Sequence, residues 1–189
     1  VAHASYGVIT VVLSPKYQAY SPHQDQRPDG AVIDLLILHA ISLPAGCFST
    51  ASIMALFYGE LLDSTEPQFT DLRGLRVSAH YVIDRQGHII QCVADHSRAW
   101  HAGQSSWQGR ERCNDFSIGI EIIGDERSPF TLPQYRSTAQ LSSELLQRHP
   151  MMNRKRIVGH CDVAPGRKWD PGKQWNWSRF HHMLDDKLA

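Results

Sequence analysis

The sequence predicts an α/β fold, one mixed central β-sheet flanked by α-helices, in a single domain over residues 1–189 with an irregular lead-in at 1–30. Three observations carry this expectation. Two nearly unbroken apolar runs, VIDLLILH at 32–39 and FSIGIEIIG at 116–124, suit central strands covered on both faces. Segments with apolar residues at helical spacing alternate with such runs, and the glycine fingerprint of a nucleotide fold is missing. No repeat, linker or low-complexity stretch divides the chain, and 189 residues suffice for a sizeable core.

Element by element, SPHQDQRPDG (21–30) is rich in turn residues and belongs to the irregular lead-in. After the first central strand, STASIMALFYGELL (49–62) predicts a helix capped by Ser49 or Thr50. RVSAHYVIDRQGHIIQCVA (76–94) predicts an antiparallel hairpin turning at Arg85-Gln86-Gly87. Residues 95–114 have no period, and their Trp100, His101, Trp107 and three arginines mark a functional loop. TLPQYRSTAQLSSELLQRH (131–149) predicts a helix capped by Thr131 with Pro133 in its first turn. RKRIVGH (154–160) predicts a last short strand, and NWSRFHHMLDDKL (176–188) a closing helix capped by Asn176.

Nineteen basic residues balance nineteen acidic ones, which argues against a nucleic-acid partner or an anionic membrane surface. No apolar run is long enough for membrane insertion. The opening VAHASYGVITVVLSP lacks a basic region ahead of an apolar core, so it does not read as an export signal. The chain starts at Val1, and a trimmed leader stays compatible with that start. Cys47, Cys92, Cys113 and Cys161 form no CxxC and read as free thiols of a reducing compartment. No exposed seam or heptad speaks to oligomeric state.

Chemistry concentrates at strand ends. His39 follows LLIL and His160 follows RIVG, and such ends open into the clefts where sheet proteins place their sites. A lone histidine there is more often a capping group. With Asp170 the pair becomes two imidazoles and a carboxylate, a donor set that suits one catalytic zinc ion with a fourth position open. Glu121 shares a strand face with Gly119 and Ile123, opposite Ile118, Ile120 and Ile122. It is either a partnered structural carboxylate or a general base for water at the metal, with Gly119 leaving room beside it. Lys168 precedes Asp170 by two positions, so an extended loop would point both the same way, the lysine toward a developing oxyanion. Strand alternation sends Cys161 away from His160 as a packed thiol, and Asp162 suits a turn.

Five stretches, HAISLP (39–44), RVSAHY (76–81), RAWHAG (98–103), GRERCNDFSIGIE (109–121) and GHCDVAPGRKWDPG (159–172), together resemble the zinc-dependent N-acetylmuramoyl-L-alanine amidases of the AmpD type. That family is related in fold to T7 lysozyme and peptidoglycan recognition proteins, and the likeness runs from about Ser21 to Phe180. The resemblance implies zinc ligands at His39, His160 and Asp170, a water-activating acid at Glu121 and an intermediate-steadying lysine at Lys168. It implies substrate contacts from Arg76, Arg112 and Trp100. The implied reaction is hydrolysis of the amide between (1,6-anhydro-)N-acetylmuramic acid and L-alanine of muropeptides, in cytoplasmic cell-wall recycling.

Two positions depart from the family pattern. Ala40 stands where relatives carry asparagine, and Trp169 where a smaller threonine is expected. Both bear on substrate preference rather than on ligands or base. One alternative is an amidase acting on intact peptidoglycan in the periplasm or outside the cell. Another is a non-catalytic peptidoglycan-binding module, against which the presence of Asp170, Glu121 and Lys168 argues. A cysteine hydrolase built on Cys161 and His160 fails because adjacent strand residues point apart.

Overall fold

In the computed structural model, residues 20–61 and 63–189 are described. Residues 1–19 of the lead-in lie outside the described part. The rest of it is not irregular throughout. β1 (Gln24–Gln26) pairs antiparallel with β5 (Ser97–Ala99). One residue on, Arg27 donates to the carbonyls of Asp95, Asn114 and Ser117, tying the lead-in to three later segments. A strand of three polar residues leaves no period-2 signal, so composition alone reads it as loop.

The central sheet is mixed, as expected. It runs β4 (Ile89–Gln91), β3 (Tyr81–Ile83), β8 (Ser117–Ile123), β2 (Leu35–Ile41), β9 (Ile157–Gly159). β3, β8, β2 and β9 are parallel, and β4 closes the edge antiparallel to β3. The β3–β4 turn falls where predicted, with Asp84 Oδ1 accepting from the Gln86 and His88 amides. Gly87 there has φ +86°, and a Cβ on it would meet the Pro133 carbonyl at 2.9 Å. The turn therefore requires glycine twice over.

Ile118, Ile120 and Ile122 of β8 join Leu36 and Leu38 of β2 in one core, covered by α2 (Leu132–Arg148) and α4 (Trp177–Leu188). Burial of each such side chain contributes roughly 1.5–3 kcal/mol. A one-residue slip of β8 would exchange the three isoleucines for Ser117, Gly119 and Glu121, so the register is strongly held. The helix starts follow the sequence: Thr131 and Gln134 form a reciprocal capping box, and Asn176 Oδ1 accepts from the Arg179 amide. The opposite sheet face meets α1 (Thr50–Phe57), capped by Ser49. That helix ends at Phe57, short of the expected 62, where the chain turns through Gly59 at φ +80°.

The loop between β5 and β8 carries a small hairpin, β6 (Ser106–Trp107) with β7 (Arg110–Glu111). It packs through Ala102, Cys113 and Phe116 onto Leu35 and Ile37, the β2 side chains directly below His39. His160 does not end a strand. β9 stops at Gly159, and His160 opens a one-turn helix, α3 (His160–Val163). Asp162 Oδ2 accepts from the Gly159 amide, so it shapes the start of α3, as its turn role suggested.

Candidate metal centre

His39 on β2 and Glu121 on β8 are register partners, side by side on one sheet face at the carboxyl ends of parallel strands. α3 brings His160 over β2, and the turn after it returns Asp170, whose carbonyl accepts from the Cys161 amide. His39, His160 and Asp170 are each less than 10 % exposed. Their facing atoms form a nearly equilateral triangle. His39 Nδ1 is 2.9 Å from His160 Nδ1 and 3.2 Å from Asp170 Oδ2, and His160 Nδ1 is 3.1 Å from Asp170 Oδ2.

Ligand bonds of about 2.0–2.1 Å in a tetrahedron give edges of about 3.3 Å, so the triangle fits a zinc-sized ion. Two imidazole lone pairs aimed at one point also repel unless a proton or a cation sits between them. Glu121 Oε1 is 3.9 Å from His39 Nδ1, and its buried Oε2 has no partner among the described residues. A buried carboxylate oxygen left bare at the mouth of three donors is what a site for a cation and its water requires. The residues fit the group.

Electrostatics agree. Burial holds the His39 imidazole down to about 4, with Asp170 opposing, so it stays neutral and available as a donor. For Asp170 burial works against ionisation, but the two imidazole contacts outweigh it and keep the carboxyl well below the usual range. Glu121 goes the other way: burial pushes it well above the carboxylate range, Asp170's charge adds to this and Lys168 opposes it. One carboxyl is thus held as an anion while its neighbour holds its proton more tightly, divided by environment.

Lys168 is exposed while Asp170 is buried, since the chain turns at Ala164 with the Arg167 and Lys168 amides bonding to its carbonyl. The two do not share the simple extended geometry expected of them, yet the lysine's charge acts on both His39 and Glu121. Cys161 is half-buried rather than packed, and its thiol is raised by burial and by Asp162 and Asp170. Such a thiol is a poor nucleophile.

Arg112, Trp100 and Arg76, expected from the sequence to meet substrate, are not drawn into the triangle. Arg112 sits in the left-handed region at φ 60°, largely exposed, and lines a cleft of about 420 Å³ with Gln104, Ala164 and Arg167. Arg167 reaches from that cleft to the Ala102 carbonyl, which also accepts from His160 Nε2. Trp100 donates to Asp25 Oδ1 and stacks on His23 at 6.0 Å. Arg76 is exposed in the segment before Ser78. Ala40 packs toward the α2–α4 core, away from His39, and Trp169 is 44 % exposed with its ring over Gly172.

The sequence marks His101 as part of a functional loop but does not place it against His39. His101 Nδ1 lies 2.9 Å from His39 Nε2, and the His101 ring fills the room that Gly119 leaves beside Glu121. The RAWHAG segment marked the loop as functional, but no spacing rule connects positions 62 apart.

Residues 29–173 match the family described as N-acetylmuramoyl-L-alanine amidase. The 1,6-anhydro-N-acetylmuramyl-L-alanine amidase AmpD of Escherichia coli K12 is 49 % identical over 169 residues, 89 % of this chain and 92 % of that protein. A crystal structure of a selenomethionine derivative of AmpD superposes with a TM-score of 0.84 at 44 % identity, over 92 % of this chain and 99 % of that one. AmpDh3 from Pseudomonas aeruginosa, in complex with anhydromuramic pentapeptide, superposes at 0.62 with 30 % identity, over 92 % of this chain and 66 % of that one. Among the described residues no helix is long and apolar enough to cross a membrane. With the matched segment covering most of its length, the chain belongs to the N-acetylmuramoyl-L-alanine amidase family.

Proposed function

We propose that this chain is a zinc-dependent hydrolase of the amide between (1,6-anhydro-)N-acetylmuramic acid and L-alanine of muropeptides, working in cell-wall recycling. The observation that carries the reading is the triangle of His39, His160 and Asp170 with the bare Glu121 Oε2 beside it. The likeness to AmpD over most of both chains supports the anhydro substrate. Four free cysteines, two of them buried, support a reducing, cytoplasmic setting.

His39, His160 and Asp170 would hold the ion. When bound, zinc supplies Lewis acidity toward the amide carbonyl and toward water. Glu121 takes a proton from the attacking water on its free Oε2 as the oxygen adds to the lactyl carbonyl carbon. Lys168 offsets the negative charge that collects on the carbonyl oxygen. Glu121 then returns the proton to the departing nitrogen, the C–N bond breaks, and the products are the sugar's lactyl carboxylate and a peptide with a free L-alanine amine. Arg112 and Arg76 serve the acidic groups of the peptide, and Trp100 supplies an aromatic wall to the groove.

Mass spectrometry of products from zinc-loaded protein and 1,6-anhydromuramyl-tripeptide tests the reading. Intact tripeptide with free anhydro sugar is the expected result. Cleavage of intact peptidoglycan with the anhydro compound untouched would overturn the recycling role, and cleavage of neither would overturn the activity.

A further inference from the structure

The hydrogen-bond chain behind His39 determines which of its nitrogens is free. Ser117 Oγ donates to the Cys113 carbonyl at 2.6 Å, so its hydrogen is committed. Toward His101 Nε2, at 3.4 Å, the hydroxyl can then only accept. His101 is accordingly protonated on Nε2, and its Nδ1 carries a lone pair. That lone pair faces His39 Nε2 at 2.9 Å, which makes His39 the donor there and leaves His39 Nδ1 bare toward His160 and Asp170.

The opposite tautomer of His101 would have the opposite effect. With a proton on His101 Nδ1, His39 would have to accept at Nε2 and carry its own proton on Nδ1, where it blocks a cation. His160 is oriented from the same segment: its Nε2 faces the Ala102 carbonyl at 3.1 Å, and a carbonyl only accepts. Both amides of this pair, His101 and Ala102, donate to one atom, Asn114 Oδ1, at 3.2 and 2.8 Å. Gly119 completes the arrangement from the sheet side, because a Cβ there would lie 2.5 Å from the His101 ring. His39, Ser117 and Ala102 are essentially excluded from solvent, so water does not substitute for these bonds.

We propose that His101 is a positioning residue that sets the tautomer of His39, and that the His101–Ala102 pair, hung on Asn114, orients both imidazoles of the metal centre. Outer partners of this kind raise ligand basicity and stop ring rotation, and losing one costs about 10- to 100-fold in metal affinity. The inference rests on the zinc reading above.

The experiment is zinc affinity by chelator competition on the full chain, with His101→Leu and His101→Asn. Asparagine places Oδ1 where His101 has Nδ1 and keeps an acceptor for His39, whereas leucine fills similar space with none. We expect His101→Leu to bind zinc about 10- to 100-fold more weakly and His101→Asn to bind close to the unchanged protein. Equal, tight binding by a folded His101→Leu would overturn the inference. Should the leucine variant not fold, ¹⁵N tautomer spectra of the unchanged zinc-loaded protein decide: a proton on His101 Nε2 supports the relay, and one on Nδ1 overturns it. The premise has its own control. If the unchanged protein takes up no zinc, or His39→Ala keeps it, the metal reading itself falls, whatever the His101 variants do.

Discussion

His39 and Glu121 occupy paired positions on parallel strands, and the atoms they turn toward each other, Nδ1 and Oε1, are 3.9 Å apart. Parallel pairing puts both side chains on the same face at the same height, so a donor and a base are set side by side by backbone hydrogen bonds alone. The three isoleucines on the other face of β8 hold that register, which makes the separation a property of the sheet rather than of a loop.

Glu121→Gln keeps the size of the side chain and removes its proton capacity. The expected outcome is unchanged zinc content and a fall in kcat of about 10²- to 10⁴-fold, the usual range for losing an acid–base group. Metal analysis and steady-state kinetics on the same preparation check it. Near-normal turnover would remove Glu121 from the chemistry.

Asp170→Ala removes one corner of the triangle and leaves His39 and His160 facing each other at 2.9 Å with no anion between. We expect zinc to be lost on dialysis and hydrolysis to disappear with it. Metal retained at one ion per chain would mean that the carboxylate is not a ligand.

Much of this arrangement is legible in the sequence, because period 2 separates Leu36 and Leu38 from His39, and Ile118, Ile120 and Ile122 from Glu121. Helix starts at Thr131 and Asn176 are legible for the same local reason, since a cap is read within four residues. What period and caps do not carry is contact between distant loops. His101 meets His39 across 62 positions, and Asn114 clamps the loop that holds it. β1 hides in polar residues, and His160 looks like a strand end because one turn of helix is too short to show a period.

Gly119→Ala tests the crowded space above β8. The added Cβ would stand 2.5 Å from His101 Cγ and Nδ1, a ring wedged between buried neighbours rather than a flexible tip. Overpacking of this kind costs about 1–3 kcal/mol. The variant should melt below the unchanged protein and bind zinc more weakly. A variant matching the unchanged protein in both would show that the ring has room to move.

Lys168→Met preserves length and apolar stem without the charge that acts on Glu121 and His39. Loss of an oxyanion-facing donor costs about 10²- to 10³-fold in kcat. We expect that fall with little change in KM, and Lys168→Arg should recover part of it. A rise in KM alone would instead assign the lysine to substrate binding.

Acid should destabilise the metal-free protein through its buried histidines. Burial, with Arg27 adding to it, holds His80 down to about 3 against an ordinary value of 6.5. The unfolded chain takes up that proton once the pH drops below about 6.5, while the folded chain refuses it until about 3. Stability is therefore full above the unfolded value and drains away as the pH falls through this window. At pH 5 the loss from this one group is on the order of 2 kcal/mol. Urea denaturation of metal-free protein at pH 7 and pH 5 measures it, and His80→Gln should lower stability at pH 7 yet flatten the difference between the two. An unaltered pH dependence in that variant would move the effect to other groups, with His39, held down to about 4, next in line.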